Sequence, residues 1–243
     1  MPRTPRFSYP RAVHHVTLRC NNREFLFSER SFELFHSLLQ QARERFGLSL
    51  YNYCLMTNHV HLLFKVNKAD TLSRAMHWTS SLFSRRFNKQ SGRNGHLWEG
   101  RFRSTIIEES TYFLRCMTYL DLNPVRARMV AEPAEHRWSG HRALRHENAA
   151  ELDFHPTYLE LGTDAHSRYR AYTHLLAEDL ERRRVPLATK FFVGSPRFVA
   201  RMEKKFGLSG GGAFLAREAV ATDAGGAATI VSLRPRVGRA ARQ

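Results

Sequence analysis

The sequence predicts an α+β fold in which an antiparallel sheet carries its helices on one face. Short segments rich in β-branched and aromatic residues alternate along the chain with longer segments whose apolar residues recur every three or four positions. With 243 residues and 42% hydrophobic content, the chain has enough apolar material for one core and a second small module.

The first two elements are a strand and a helix. Residues 13–18, Val-His-His-Val-Thr-Leu, are predicted to form a strand because β-branched residues are frequent in them. Residues 28–46 are predicted to be helical, and Gly47 follows at a typical C-terminal stop. The helical prediction depends on apolar residues at three- and four-residue steps, namely Phe32, Phe35, Leu38, Leu39, Ala42 and Phe46.

Two more strands and a long helix come next. Strands over 48–56 and 59–66 are separated by the turn-like pair Thr57-Asn58. Asp70 or Thr71 can cap a helix that runs to about residue 87, and the glycines and asparagine that follow end it.

A fourth strand and a third helix complete the first part of the chain. The strand is expected within 97–108, with its clearest part at 105–107. Ser110 can cap a helix through Leu122, and Pro124 lies where that helix must stop. The first six elements, β-α-β-β-α-β, match the ferredoxin-like arrangement, and the seventh is an added helix.

The rest of the chain is predicted to be an appendage and a tail. We assign residues 1–145 to the main domain, 146–208 to a small helical appendage and 209–243 to a basic, disordered tail. Ser195 and Pro196 make a good helix opening in the appendage. Its helical pieces are expected at 155–162, 169–184 and 196–206.

Composition and net charge favour certain partners and one cellular location. The formal net charge of +16 favours a polyanionic partner, nucleic acid first, although a merely basic protein or one attracted to anionic membrane would also fit. No apolar run could span a bilayer and no signal peptide is recognisable, so a cytoplasmic location without a membrane partner is predicted. Cys20, Cys54 and Cys116 lack disulfide or zinc spacing and are expected to fill core volume.

Two histidines flank one apolar residue in the third predicted strand. Alternate strand residues point to the same face, so His59 and His61 project side by side while Val60 faces the other way. Two imidazoles so placed can share one divalent metal, although a His-x-His pair alone is weak evidence for a metal site.

A tyrosine and an asparagine lie one turn apart on the third helix. Taken alone, this helix favours a packing role for Tyr119 and a capping role for Asn123. Combined with the two histidines, the Asn123 carbonyl offers a third ligand, and such a set with open positions suits Mg²⁺ or Mn²⁺ bound to a phosphate. Tyr119 would then supply a hydroxyl near that phosphate.

The ordered combination of these residues resembles the single-tyrosine HUH transposases and, within them, the REP-associated tyrosine transposases. The matching residues are His59-Val60-His61 and the run Tyr-x-x-x-Asn-Pro-Val-Arg-Ala that begins at Tyr119. Residues 95–102 and the pair Trp138-Ser139 also resemble family segments, and the resemblance covers roughly residues 7–145.

The resemblance implies a ferredoxin-like nuclease that cuts single-stranded DNA near a hairpin. It makes Tyr119 the nucleophile, joined to the 5′ side of the cut, and it makes His59, His61 and Asn123 the ligands of Mg²⁺ or Mn²⁺. Tyr112 is a rival nucleophile seven positions earlier, near the same face, but it lacks an asparagine partner.

Basic residues with aromatic neighbours predict contacts with single-stranded or hairpin DNA, because cations bind phosphates and rings stack on bases. For any one of them, a solvated surface role is the simpler explanation. They are Arg3, Arg6 and Arg11 in the N-terminal arm, Arg85, Arg86, Lys89 and Arg93 at the end of the second long helix, and Arg101 and Arg103 after Trp98.

The resulting interpretation is a metal-dependent single-stranded DNA endonuclease and strand transferase, a transposase acting through a 5′-phosphotyrosine intermediate. Two alternatives stay open, a non-cleaving DNA-binding protein of the same fold and a metal-dependent hydrolase that uses water. The sequence leaves the choice between monomer and homodimer open. His14 and His15 adjoin on the first strand, so one faces inward, and we expect a satisfied histidine rather than a ligand.

Overall fold

A five-stranded mixed sheet forms the centre of the molecule. The computed structural model describes residues 6–24, 27–181, 191–208, 220–222 and 228–230. The strands of the sheet, in the spatial order β2-β3-β1-β4-β5, are β1 (Val13–Arg19), β2 (Ser49–Leu55), β3 (His59–Lys65), β4 (Arg103–Ile107) and β5 (Phe192–Val193). The pairs among β1 to β4 are antiparallel, whereas β5 runs parallel to β4. The predicted α+β class is confirmed, and the all-antiparallel sheet is corrected to a mixed one.

Helices surround this sheet, and two of the longer ones end at left-handed glycines. Gly47 and Gly92 close α1 and α2 with φ of 59° and 61°, a conformation that costs glycine little. The described helices are α1 (Glu29–Phe46), α2 (Thr71–Ser91), α3 (Thr111–Asp121), α4 (Asn123–Arg126), α5 (His141–Arg145), α6 (Pro156–Leu159), α7 (Ala165–Glu181) and α8 (Pro196–Lys205). As in the predicted order, β1, α1, β2, β3, α2, β4 and α3 follow one another along the chain.

The two faces of the sheet are covered by different helices. On one face, Tyr53 of β2 contacts His36 of α1, and α1 packs against α2 through Phe35 and Phe83. On the opposite face, the neighbouring Asn52 donates a hydrogen bond to Asp121 of α3. The helices on one face are therefore α1 and α2, and the added helix α3 lies across the other face.

The third helix ends before Pro124, as predicted, but a further short helix follows it directly. Helix α3 ends at Asp121, and α4 begins at once with Pro124 in its first turn, where a missing N–H costs nothing. The backbone stays in the right-handed helical region at Leu122, so the break is a change of helix rather than an exit into a loop.

The C-terminal segments are helical as predicted. The pieces expected at 155–162, 169–184 and 196–206 correspond to α6, α7 and α8, although residues 182–184 lie outside the described residues. Most of the segment 209–243 also lies outside them. The parts described are two short strands, β6 (Val220–Thr222) and β7 (Ala228–Ile230), which pair antiparallel.

Chain segments from the second half of the protein pair with the outer sides of β2 and β4. Residues 138–140 and 153 form backbone hydrogen bonds of 2.7 to 2.9 Å with the outer edge of β2. Residues 191–193 do the same along β4, with two hydrogen bonds of 2.8 Å.

Cys20, Cys54 and Cys116 are buried thiols, as predicted for core-filling residues. Among the described helices, none combines the length and apolar character needed to cross a membrane.

Candidate active site

The two histidines of β3 lie side by side on the face that α3 covers. The ring centroids of His59 and His61 are 4.8 Å apart and the rings are nearly perpendicular. His61 is 3% exposed, while His59 is half-buried at the end of the strand. The pair therefore has one deeply enclosed imidazole and one that solvent or a ligand can reach.

Tyr119 lies beside this pair. Helix α3 packs on the sheet through buried residues such as Phe113, Met117 and Leu120, and Tyr119 is half-buried among them. Its ring centroid is 5.7 Å from that of His61, edge to face. Tyr112 is in a different place: near the start of α3, its ring contacts the Arg115 guanidinium at 5.5 Å.

Asn123 caps the helix that carries Tyr119. Its amide nitrogen donates to the carbonyl oxygens of Tyr119 (2.8 Å) and Leu120 (3.4 Å). In a continuous helix the Leu120 carbonyl would accept from the backbone N–H of residue 124, but Pro124 has no N–H to donate. Within the described residues, the amide oxygen of Asn123 accepts no hydrogen bond. The geometry thus establishes a capping role, and the role of Asn123 as a metal ligand stays a prediction.

Each histidine of the pair has its Nδ1 atom engaged by a neighbour. His59 Nδ1 lies 2.6 Å from the amide oxygen of Asn58. His61 Nδ1 lies 2.9 Å from Nε2 of His15, with the Thr17 hydroxyl more distant at 3.4 Å. The two Nε2 atoms are thus the nitrogens left over for any further ligand.

Burial keeps these imidazoles uncharged. Desolvation, reinforced by Arg19, lowers the pKa of His59 to about 4. Desolvation also lowers the pKa of His61 well below its ordinary value, and its neighbours His15 and His59 add to the effect. Neutral imidazole is the form that can bind a metal, and it is the form of both side chains at neutral pH.

The electrostatics at Tyr119 are mixed. Burial raises the pKa of its phenol, and the positive charges of Arg126 and Arg19 act in the opposite direction. Arg126 is held by a hydrogen bond from its guanidinium to the carbonyl of Asp179 (2.7 Å). The resting hydroxyl is therefore protonated, with two cations placed to favour its deprotonation.

A buried carboxyl group anchors α3 from the side of the C-terminal segments. Asp121, 1% exposed, accepts hydrogen bonds from Asn52 of β2 (2.9 Å) and Tyr172 of α7 (2.6 Å). His141 Nδ1 is 3.0 Å from the same carboxyl group. Thr118 also hydrogen-bonds Asp179 of α7. The helix that carries Tyr119 is thereby fixed both to the sheet and to α7.

The predicted DNA-contacting residues fall into three environments. Arg11, Arg85, Arg86, Lys89, Arg101 and Arg103 are exposed. Arg6 is half-buried with its guanidinium 4.0 Å from the centroid of the Phe102 ring, and burial lowers its pKa. Arg93 forms an ion pair with Glu24 at 2.7 Å, which partly neutralises it. Arg3 lies outside the described residues.

Three residues of the site were missed from the sequence. His15 and Arg19 lie on β1 in register with the third strand, where Thr17 pairs with His61 and Arg19 with His59. Strand alternation places His15, Thr17 and Arg19 on one face of β1, and this pattern could have indicated them. The predicted strand, however, ended one residue before Arg19. Asn58 was assigned only to a turn.

Comparisons with known proteins concern the family and the fold. Residues 8–122 match the family described as IS200-like transposases. The chain is similar in fold to the structure of a REP-associated tyrosine transposase bound to a REP hairpin, with a TM-score of 0.51 and 15% identity over 63% of this chain and 92% of the other. A Deinococcus radiodurans R1 protein described as a transposase candidate gives a TM-score of 0.36 at 16% identity, over 53% of this chain and 92% of that one. No curated protein matches significantly.

Proposed function

We propose that this chain, whose residues 8–122 belong to the IS200-like transposases, cuts and rejoins single-stranded DNA beside a hairpin with Tyr119 as its nucleophile. The observation that supports the assignment is the placement of Tyr119 against His61, itself beside His59, at the place where a strand and a helix meet. The fold neighbour was solved with a REP hairpin, which makes hairpin DNA the first substrate to test.

The residues present fit a divalent cation. Two neutral imidazoles with unoccupied Nε2 atoms are suitable nitrogen ligands, and the free amide oxygen of Asn123 is a suitable third donor. His59, His61 and Asn123 would hold Mg²⁺ or Mn²⁺. When bound, such an ion would polarise the scissile phosphate and offset the charge that develops on the leaving oxygen. The described residues contain no cluster of three or more histidine, cysteine, aspartate or glutamate side chains that could hold a metal in another way.

The proposed cleavage is a transesterification. The Tyr119 oxygen attacks the phosphorus, an oxygen–phosphorus bond to the tyrosine forms, and the bond from phosphorus to O3′ breaks. The strand downstream of the cut stays on the protein through its 5′-phosphate, and the upstream strand leaves with a 3′-hydroxyl group. The proton lost by the phenol is balanced by the proton that O3′ gains through water. Attack of a 3′-hydroxyl on the phosphotyrosine reverses the same step and rejoins the strand.

Arg19 and Arg126 assist this chemistry in the proposal. Both favour the phenolate against the effect of burial, and both can neutralise part of the phosphate charge. Arg126 is exposed but tethered to Asp179, so its guanidinium is held near Tyr119 without being buried.

The decisive experiment replaces the phenol oxygen. Tyr119→Phe and the matched control Tyr112→Phe are incubated with hairpin-flanked single-stranded DNA and Mg²⁺ or Mn²⁺, and covalent products are separated on a denaturing gel. We expect wild type and Tyr112→Phe to form an adduct, mapped to Tyr119 by peptide sequencing, and Tyr119→Phe to bind DNA without forming one. Undiminished cleavage by Tyr119→Phe would favour a hydrolase using water. Binding without cleavage by the wild type would favour a non-cleaving DNA-binding protein.

A further inference from the structure

We propose that Asn58 and His15 are positioning residues that hold the Nδ1–H tautomers of His59 and His61 and so keep both Nε2 atoms open to one divalent cation. The inference rests on the proposed metal role of the two histidines and extends it to residues outside the ligand set. The two neighbours act by different hydrogen bonds.

Asn58 acts on His59 through an amide whose orientation is fixed. Its amide nitrogen donates to the backbone carbonyl of Arg23 at 3.1 Å. Inverting the amide would place two acceptor oxygens face to face, so the amide oxygen must point to His59 Nδ1, 2.6 Å away. Because this oxygen only accepts, Nδ1 carries the hydrogen. The neutral ring then has its lone pair on Nε2.

His15 acts on His61 through one hydrogen bond between two ring nitrogens, either of which could carry the hydrogen. The two rings are nearly parallel, and 2.9 Å separates His15 Nε2 from His61 Nδ1. If His15 donated, the hydrogen of neutral His61 would be on Nε2, and no lone pair would remain there for a metal. If His61 donates from Nδ1, its Nε2 is free. Only the second arrangement is compatible with a bound cation.

The other nitrogen of His15 places no constraint on its tautomer. Nδ1 of His15 is buried and finds no hydrogen-bond partner among the described residues. No other described group competes for the tautomer of His15, and its state therefore follows His61. The His15 ring also contacts the Tyr119 ring edge to face, with the two ring centroids 5.9 Å apart.

The first test measures Mn²⁺ binding by isothermal titration in His15→Phe, His15→Gln and the control His14→Phe. His14 is the adjacent buried residue, points to the opposite face and hydrogen-bonds Ser8. We expect His15→Phe to weaken Mn²⁺ binding by about 10- to 100-fold, the range seen when outer-shell partners of metal ligands are removed. His15→Gln, which can still accept a hydrogen bond from His61, should recover most of the affinity, and His14→Phe should bind as wild type does.

Asn58→Leu keeps a similar volume and removes the acceptor for His59. We expect it to weaken Mn²⁺ binding as His15→Phe does. Wild-type affinity in both variants, or an equal loss in His14→Phe, would overturn the inference. Absence of Mn²⁺ binding by the wild type would instead overturn the metal assignment, and the tyrosine adduct would still report separately on the nucleophile.

The second test needs no variant and covers the case in which His15→Phe fails to fold. Nitrogen-15 spectra of the histidine-labelled wild type, saturated with Mg²⁺, identify which ring nitrogen of His61 carries hydrogen. Hydrogen on Nδ1 supports the proposal. Hydrogen on Nε2 contradicts it.

Discussion

Replacing Asp121 by asparagine should destabilise the protein through the contacts that tie α3 to its surroundings. The substitution keeps the shape of the side chain, so no cavity opens and the effect comes from hydrogen bonding alone. Donors from Asn52, Tyr172 and His141 converge on the two carboxyl oxygens at 2.9, 2.6 and 3.0 Å. An asparagine has only one acceptor oxygen, and its amide nitrogen must face at least one of these donors.

The magnitude follows from that mismatch. Asn52 cannot turn its oxygen toward the introduced amide, because this oxygen accepts from the backbone N–H of Tyr53 at 2.8 Å. One buried donor thus loses its acceptor, at about 1–3 kcal/mol, and the two hydrogen bonds that remain lose their charge assistance, at about 1 kcal/mol each. We expect a loss of about 3–5 kcal/mol, a large share of the 5–15 kcal/mol typical of a folded protein.

Urea unfolding followed by circular dichroism measures this loss, and a double variant identifies its source. Asn52→Asp combined with Asp121→Asn exchanges the two groups and gives the introduced amide an acceptor again. The double variant should therefore be more stable than Asp121→Asn alone by about 1–3 kcal/mol. A loss below 1 kcal/mol for the single variant, or no recovery in the double, would refute the role of Asp121 as the shared acceptor.

Three further predictions concern the metal, the pH dependence of stability and the DNA. His59→Ala should abolish cleavage while retaining most DNA affinity, because phosphate contacts dominate affinity; full activity of this variant in EDTA would rule out the metal assignment. Stability should fall as the pH drops below 6.5, since burial lowers the pKa of His14 and His15 to about 3 in the folded state and the unfolded chain takes up protons first. Each such histidine contributes about 1.4 kcal/mol per pH unit, so thermal melts of His14→Phe should show a shallower decline than wild type. Alanine at Arg85, Arg86 and Lys89 should weaken binding to hairpin DNA in fluorescence anisotropy and reduce its salt dependence, whereas Arg93→Ala, which removes an arginine already paired with Glu24, should change the salt dependence little.

Sequence patterns predicted those elements of the fold that interactions between residues close in sequence determine. Helix α1 follows from its apolar periodicity, and Gly47 ends it as expected. The side-by-side placement of His59 and His61 follows from strand alternation alone. The contact of Tyr119 with His61 was predicted only by combining distant segments, since nothing local to α3 indicates which strand it crosses.

The missed features depend on tertiary neighbours. Strand β5 has two residues, and its pairing with β4 brings together positions more than 80 residues apart, which periodicity cannot indicate. Asp121 shows no pattern that separates a buried anchor from a solvated helix end. The expectation that one of His14 and His15 faces inward was too narrow, because both faces of the sheet are covered and both side chains are buried. Only the pairing of β1 with β3 places His15, rather than His14, against His61.

The segments paired with the outer edges of β2 and β4 determine how the part of the chain matched by the family model would behave when expressed by itself. Residues 8–122 include β1 to β4, yet the segments that occupy the outer edges of β2 and β4 lie at 138–140, 153 and 191–193. A fragment cut at the family boundary would expose two rows of unpaired backbone groups beside a largely apolar sheet. Such edges template strand addition between molecules, so the fragment should precipitate or form β-rich aggregates at concentrations where the full chain stays in solution.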